Sequence, residues 1–142
     1  MKMTLDLSSL RKVVNSLDGA VAIASSDKEL KALSKAQKDL IRAGVIQNFE
    51  FTYELCWKFM HRWLEKNLGS AYIDGIPRKE LFRIAAENQL IGDAKNWMDY
   101  HEARNKTAHT YDENTAKEVF NAAKLFIKDA KEFLKKLEAK NV

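Results

Sequence analysis

Apolar residues recur at three- and four-residue intervals along almost the whole chain, and no segment alternates apolar with polar as a half-buried strand would. Five glycines and one proline in 142 residues leave few places for a helix to break. The pattern predicts an all-α protein. A first helix is expected from about Leu5 to Ala24, with Leu7, Leu10, Val14, Leu17 and Val21 on one face. Ser26 with Glu29 reads as a capping box; whether residues 27–35 form a separate turn is left open. A long second helix is expected from about Ala36 to Leu68. It carries two adjacent apolar stripes, one through Ile41, Val45, Phe49, Thr52, Cys56, Phe59 and Trp63, the other through Ile46, Tyr53, Trp57, Met60 and Leu64. A face that wide suits a central helix with more than one neighbour. Its polar remainder is Gln47, Glu50, Glu54, Lys58, His61 and Glu65.

Gly69 is expected to end that helix and to open a loop reaching Ile76, with Asp74-Gly75 as the turn. Pro77 suits the first position of a third helix running to about Leu90. Gly92 and Asp93 supply a stop and a cap, and Asp93 opens a fourth helix that ends near His109. Thr110 with Glu113 is a second capping-box candidate, so a fifth helix starts near Asp112. Its apolar face holds Val119, Ala123, Phe126, Ile127, Ala130, Phe133, Leu134 and Leu137. No repeat or low-complexity tract interrupts the series, and residues 1–142 read as a single helical domain.

Composition narrows the class. Hydrophobic residues make up 46% and charged residues 31%, a globular balance rather than a disordered one. No run of eighteen apolar residues predicts a membrane span, and the N-terminal stretch Met1-Lys2-Met3-Thr4-Leu5-Asp6 has no apolar core of a secretory signal. The single cysteine, Cys56, permits no internal disulfide and points to a cytoplasmic setting, with an inert core role for the thiol. The net charge of +4 permits an RNA or nucleotide partner without demanding one, since acids and bases are interleaved.

Candidate chemistry concentrates in Arg104-Asn105-Lys106-Thr107-Ala108-His109-Thr110-Tyr111. A permanent cation, a group titrating near neutrality and a phenol can together handle a phosphodiester or nucleotide. On a regular helix, however, Arg104 and His109 point about 140° apart. They converge only if the helix ends before His109, if the arginine bends back, or if a second copy of the chain completes the site. Asn105, four residues before His109, is placed to orient the imidazole. The plain structural alternative is a histidine at a helix C-terminus as dipole partner, with Arg104 paired to an acid. Glu50, Glu54 and Lys58 fall at four-residue intervals, an intrahelical ion pair or, in functional terms, the lining of a nucleotide or substrate site. His61, His101 and His109 have neither the spacing nor the cysteine companions of a zinc site, and no glycine-rich phosphate loop is present. No metal or cofactor is expected.

The eight residues resemble the Arg-x4-His-x-Tyr signature of HEPN domains. The segment from Arg42 to Lys58 resembles the second-helix block of one HEPN branch, the nucleotidyltransferase substrate-binding proteins. Leu90-Ile91-Gly92-Asp93 with Trp97 resembles the lead-in to its signature helix. The resemblance spans about Leu10 to Leu137. It implies an antiparallel bundle of about five helices and a homodimer whose signature helices face a shared cleft. It also implies a minimal nucleotidyltransferase partner encoded nearby. Two roles are attached to such proteins. One is a metal-independent endoribonuclease toxin, with Arg104, His109 and Asn105 as its catalytic residues, neutralised by AMP addition at Tyr111. The other is a non-catalytic subunit that binds nucleotide or substrate for the transferase.

Overall fold

The computed structural model describes residues 4–141; Met1 to Met3, part of the stretch read for a leader, lie outside the described residues. Every regular element among the described residues is helical, which bears out the all-α expectation. The long elements are α1 (Ser8–Ala24), α3 (Lys35–Leu68), α5 (Arg78–Glu87), α6 (Ala94–Asn105) and α7 (Glu113–Lys140). Two single-turn helices, α2 (Asp27–Leu30) and α4 (Ser70–Ile73), and a 3-10 turn at Thr107–His109 fill the connections. Helix α3 is the spine, packed against α1, α7, α6 and α5, while α5 and α6 pair with each other beside it.

Both stripes of α3 drive this arrangement. Val45, Ile46, Phe49, Thr52, Tyr53, Cys56, Phe59, Met60 and Leu64 are all buried. Ile41, Trp57 and Trp63 are only half-buried, because they flank the buried zone. Leu10, Val14 and Leu17 of α1 cover one side. On the other, Phe126 of α7 meets Phe49, Trp97 and Tyr100 edge-on at centroid distances of 5.2, 5.3 and 5.0 Å. Edge-to-face contacts of this kind add specificity to area burial. The buried Thr52 hydroxyl reaches the Asn48 and Val13 carbonyl oxygens, so its polarity is satisfied inside an apolar seam. Cys56 is fully buried, which pushes its thiol pKa up, away from reactivity. The two ends of the chain are clasped by Asn141, whose amide accepts from the Leu5 N–H and donates to the Leu5 carbonyl, each at 2.8 Å.

Five details differ from expectation, one of them, the end of α6 at Asn105 rather than near His109, being described with the site below. The first helix starts at Ser8, after Leu7, rather than near Leu5. Helix α5 stops at Glu87 instead of Leu90, because Gln89 takes the left-handed conformation (φ 61°) and Leu90 N–H returns to the Ala85 carbonyl. That is a Schellman ending with glutamine where glycine is usual, and Pro77 stands just before the helix. The stretch expected as a loop after Gly69 contains α4. Finally, α7 is capped by Asp112, whose carboxylate accepts from Thr115 N–H at 2.9 Å, and not by a Thr110–Glu113 box. Glu113 is drawn away by Arg42, which donates two guanidinium hydrogen bonds to its carboxylate at 3.1 and 3.0 Å. Ser26 does cap α2, accepting from Glu29 N–H. The reciprocal capping box lies at Ser34 and Gln37, opening α3.

Candidate functional site at the end of α6

The α-helical hydrogen bonding of α6 ends at Asn105, four residues before His109. Asp93 caps its other end, accepting from Lys95 N–H at 2.8 Å. The chain then tightens into the 3-10 turn, where His109 N–H bonds the Lys106 carbonyl. The break changes the direction of everything beyond Asn105, so the 140° separation of a regular helix no longer applies. It also removes the four-residue helical spacing by which Asn105 was expected to orient His109. Asn105 is exposed, and among the described residues no hydrogen bond joins the two. His109 and Tyr111 project together from the corner between α6 and α7, their rings edge-to-face at 6.1 Å. Tyr111 is 87% exposed, the most open large aromatic among the described residues.

Arg104 is fixed from the α3 side. Its Nε donates to Glu54 Oε1 at 3.1 Å, and its Nη2 lies 3.4 Å from Glu50 Oε1. Nη1 donates to the Thr107 hydroxyl at 3.2 Å, and that hydroxyl donates to the Arg104 carbonyl at 2.8 Å. Thr107 thus couples the arginine to the turn that carries His109. The structure joins two groups that the sequence presented separately, the Glu50–Glu54 stripe and the signature arginine. The expected Glu54–Lys58 ion pair is not among the bridges of the described residues. Lys58 faces solvent, and the second Glu54 oxygen accepts from the Trp57 indole at 3.2 Å.

A second polar cluster continues down the same face of α3. The guanidinium carbon of Arg78 sits over Trp57, 3.7 Å from the ring centroid. Its Nη1 donates to the Tyr53 hydroxyl at 2.9 Å, which leaves the hydroxyl proton to point at Nδ1 of His101, 2.7 Å away. Nε2 of a neutral His101 therefore carries the ring proton. Partial burial, and then the positive charge of Arg78, lower the His101 pKa and favour that neutral form. Burial pushes the Tyr53 phenol up to about 12, keeping it a donor. The sequence marked Tyr53 as core and assigned no role to Arg78. Only its pairing with α3 across the fold reveals it.

Comparison with known proteins places this architecture. Residues 5–139 match the family described as nucleotidyltransferase substrate binding protein like. The chain is 33% identical over 138 residues to a Haemophilus influenzae protein named probable ribonuclease HepT, covering 96% of this chain and 94% of that one. A solved Haemophilus influenzae structure, described as the fold of a substrate binding domain of a nucleotidyltransferase, superposes with a TM-score of 0.89 at 32% identity. It covers 94% of this chain and 99% of its own. A crystal structure from Thermus thermophilus superposes with a TM-score of 0.62 at 28% identity, covering 85% and 98%. The fold is that of an all-helical bundle protein of the kind these relatives share. The chain belongs to the nucleotidyltransferase substrate binding protein-like family.

Proposed function

We propose that the protein is a metal-independent endoribonuclease whose site is built at the α6–α7 corner of two copies of the chain, and whose activity is controlled by a separate minimal nucleotidyltransferase. The observation that carries this is the clasp of Arg104 by Glu50, Glu54 and Thr107 beside the exposed His109–Tyr111 corner. A cation held by its neighbours and linked to the turn bearing an imidazole is what phosphodiester cleavage needs. The relative named as a probable ribonuclease, similar over nearly the whole chain, supports the same activity.

In the proposed reaction a ribose 2′-OH attacks the adjacent phosphorus. His109 of one copy takes the 2′ proton. The second copy's His109, protonated, gives a proton to the departing 5′ oxygen, so a 2′,3′-cyclic phosphate and a 5′-OH result. Arg104 turns part of its guanidinium fork to the non-bridging oxygens. Asn105, exposed beside the corner, contributes a hydrogen bond to the phosphate rather than to His109. AMP attached to Tyr111 by the transferase would stand over the corner, blocking RNA by bulk and by like charge. Growth arrest by the chain alone, relieved by its partner, follows from this role.

Purified protein incubated with RNA in excess EDTA tests the reading. Cyclic phosphate ends are expected, lost in both Arg104→Ala and His109→Ala. Cleavage that persists in His109→Ala would overturn it. A second reading, a non-catalytic subunit presenting nucleotide or substrate to the transferase, is favoured by the family description and by that of the Haemophilus influenzae structure. In that case the protein binds nucleotide, with Glu50, Glu54 and Lys58 lining the ligand, and leaves RNA intact.

A further inference from the structure

Nearer the C-terminal end of α3, its polar face meets a third element. His61 and Glu65, four residues apart, share one side of the helix, and Asp74 reaches them from the turn between α4 and α5. His61 Nε2 lies 3.4 Å from an Asp74 oxygen and His61 Nδ1 lies 3.7 Å from a Glu65 oxygen. One ligand atom from each of the three side chains falls within 4.8 Å of the others.

We propose that His61, Glu65 and Asp74 form a binding site for one divalent transition-metal ion of the Zn2+ or Mn2+ class. Charge is the first reason. Among the described residues the ion pairs of Glu65 and Asp74 are with His61 alone. Two carboxylates thus face one imidazole, so even a protonated ring leaves the cluster one negative charge in excess. A divalent cation seated between the carboxylates offsets that charge. Geometry is the second. Ligand atoms around a metal at 2.0–2.2 Å stand roughly 3.0–3.4 Å apart, so a small closure of side chains and a turn of the imidazole complete the triangle. All three side chains retain access to water, with Asp74 the most open at 56%, which lets an ion enter and keep water at its remaining positions. One nitrogen and two oxygens suit a borderline cation better than Mg2+ or Ca2+, which prefer all-oxygen shells.

The ion would act as a clip rather than as a catalyst. His61 lies seven residues beyond Glu54, about 10 Å along the helix axis. Asp74 stands four residues before Arg78, and the left-handed Gly75 (φ 81°) turns the chain between them. Fastening Asp74 to α3 would therefore fasten the segment that delivers Arg78 onto Trp57. Metal binding at this cluster does not depend on RNA cleavage.

Isothermal titration of the chelator-stripped full-length chain with ZnCl2, and separately with MnCl2, tests it. One equivalent is expected to bind saturably to at least one of the two ions, with a rise in Tm of several degrees at saturating metal. His61→Ala and Asp74→Asn should each weaken binding about tenfold or more, while His109→Ala should leave it unchanged. Asp74→Asn alters an exposed side chain, so it reports on binding even if His61→Ala folds poorly. A chain that binds neither ion overturns the proposal. So does binding that survives Asp74→Asn, or that is lost with His109→Ala.

Discussion

Nε of Arg104 donates to Oε1 of Glu54 across 3.1 Å, joining residues fifty positions apart in the chain. The pair is partly exposed, so its contribution to stability is about 1 kcal/mol or less. Its consequence is orientation: with Glu50 on Nη2 and Thr107 on Nη1, the planar guanidinium is held on three nitrogens. Glu54→Gln should therefore leave Tm nearly unchanged while lowering RNA cleavage about tenfold. Arg104→Lys, which keeps the charge and loses the fork, should cost about a hundredfold. Single-turnover cleavage on folded variants checks both. Full activity in Arg104→Lys would show that only the charge matters.

Tyr111 carries almost none of the folding energy, being open to solvent. Tyr111→Phe should match the parent in Tm within about a degree, as surface substitutions do. Coexpressed with the partner transferase, the parent chain should gain the mass of AMP on the peptide containing Tyr111, and Tyr111→Phe should not. Mass gained at another residue would remove Tyr111 from the control mechanism.

His101 gives a pH signature. Its pKa is lowered from 6.5 by burial and by Arg78, with Arg104 adding to the effect and Glu54 and Glu102 opposing it. The unfolded chain then binds the proton first as pH falls, so the stabilising contribution is whole above pH 6.5 and is lost progressively below it. Tm should fall between pH 6.5 and 5.0 in the parent and fall less in His101→Asn. An imidazole titration by NMR that places His101 above 6.5 would reverse the sign of this dependence.

Trp97 sets the strength of the α6 platform. It is 1% exposed and packed on Phe82, Tyr100, Phe126 and Phe133. Trp97→Ala should cost about 3–5 kcal/mol, a large fraction of a typical domain's stability. Denaturant unfolding measures it directly. A loss under 1 kcal/mol would mean that the aromatic cluster repacks around the gap.

The periodicity of apolar residues was enough to place the five long helices and the broad buried face of α3, because burial repeats every turn and leaves that repeat in the residue order. The signature from Arg104 to Tyr111 was equally legible, as was the cap at Asp93. Other features left no local mark. Gln89 ends α5 in a conformation that glycine usually signals, so the sequence ran the helix on to Leu90. Glu113 looked like half of a capping box until Arg42, seventy-one residues away, took its carboxylate. The partners of Arg104 and the Arg78–Tyr53–His101 chain depend on which faces of α3, α5 and α6 meet. Side-chain pairing across helices follows packing angle and helix ends, and spacing along one chain encodes neither. The sequence by itself determined the helices and the chemical groups available; the tertiary structure decided which of those groups touch.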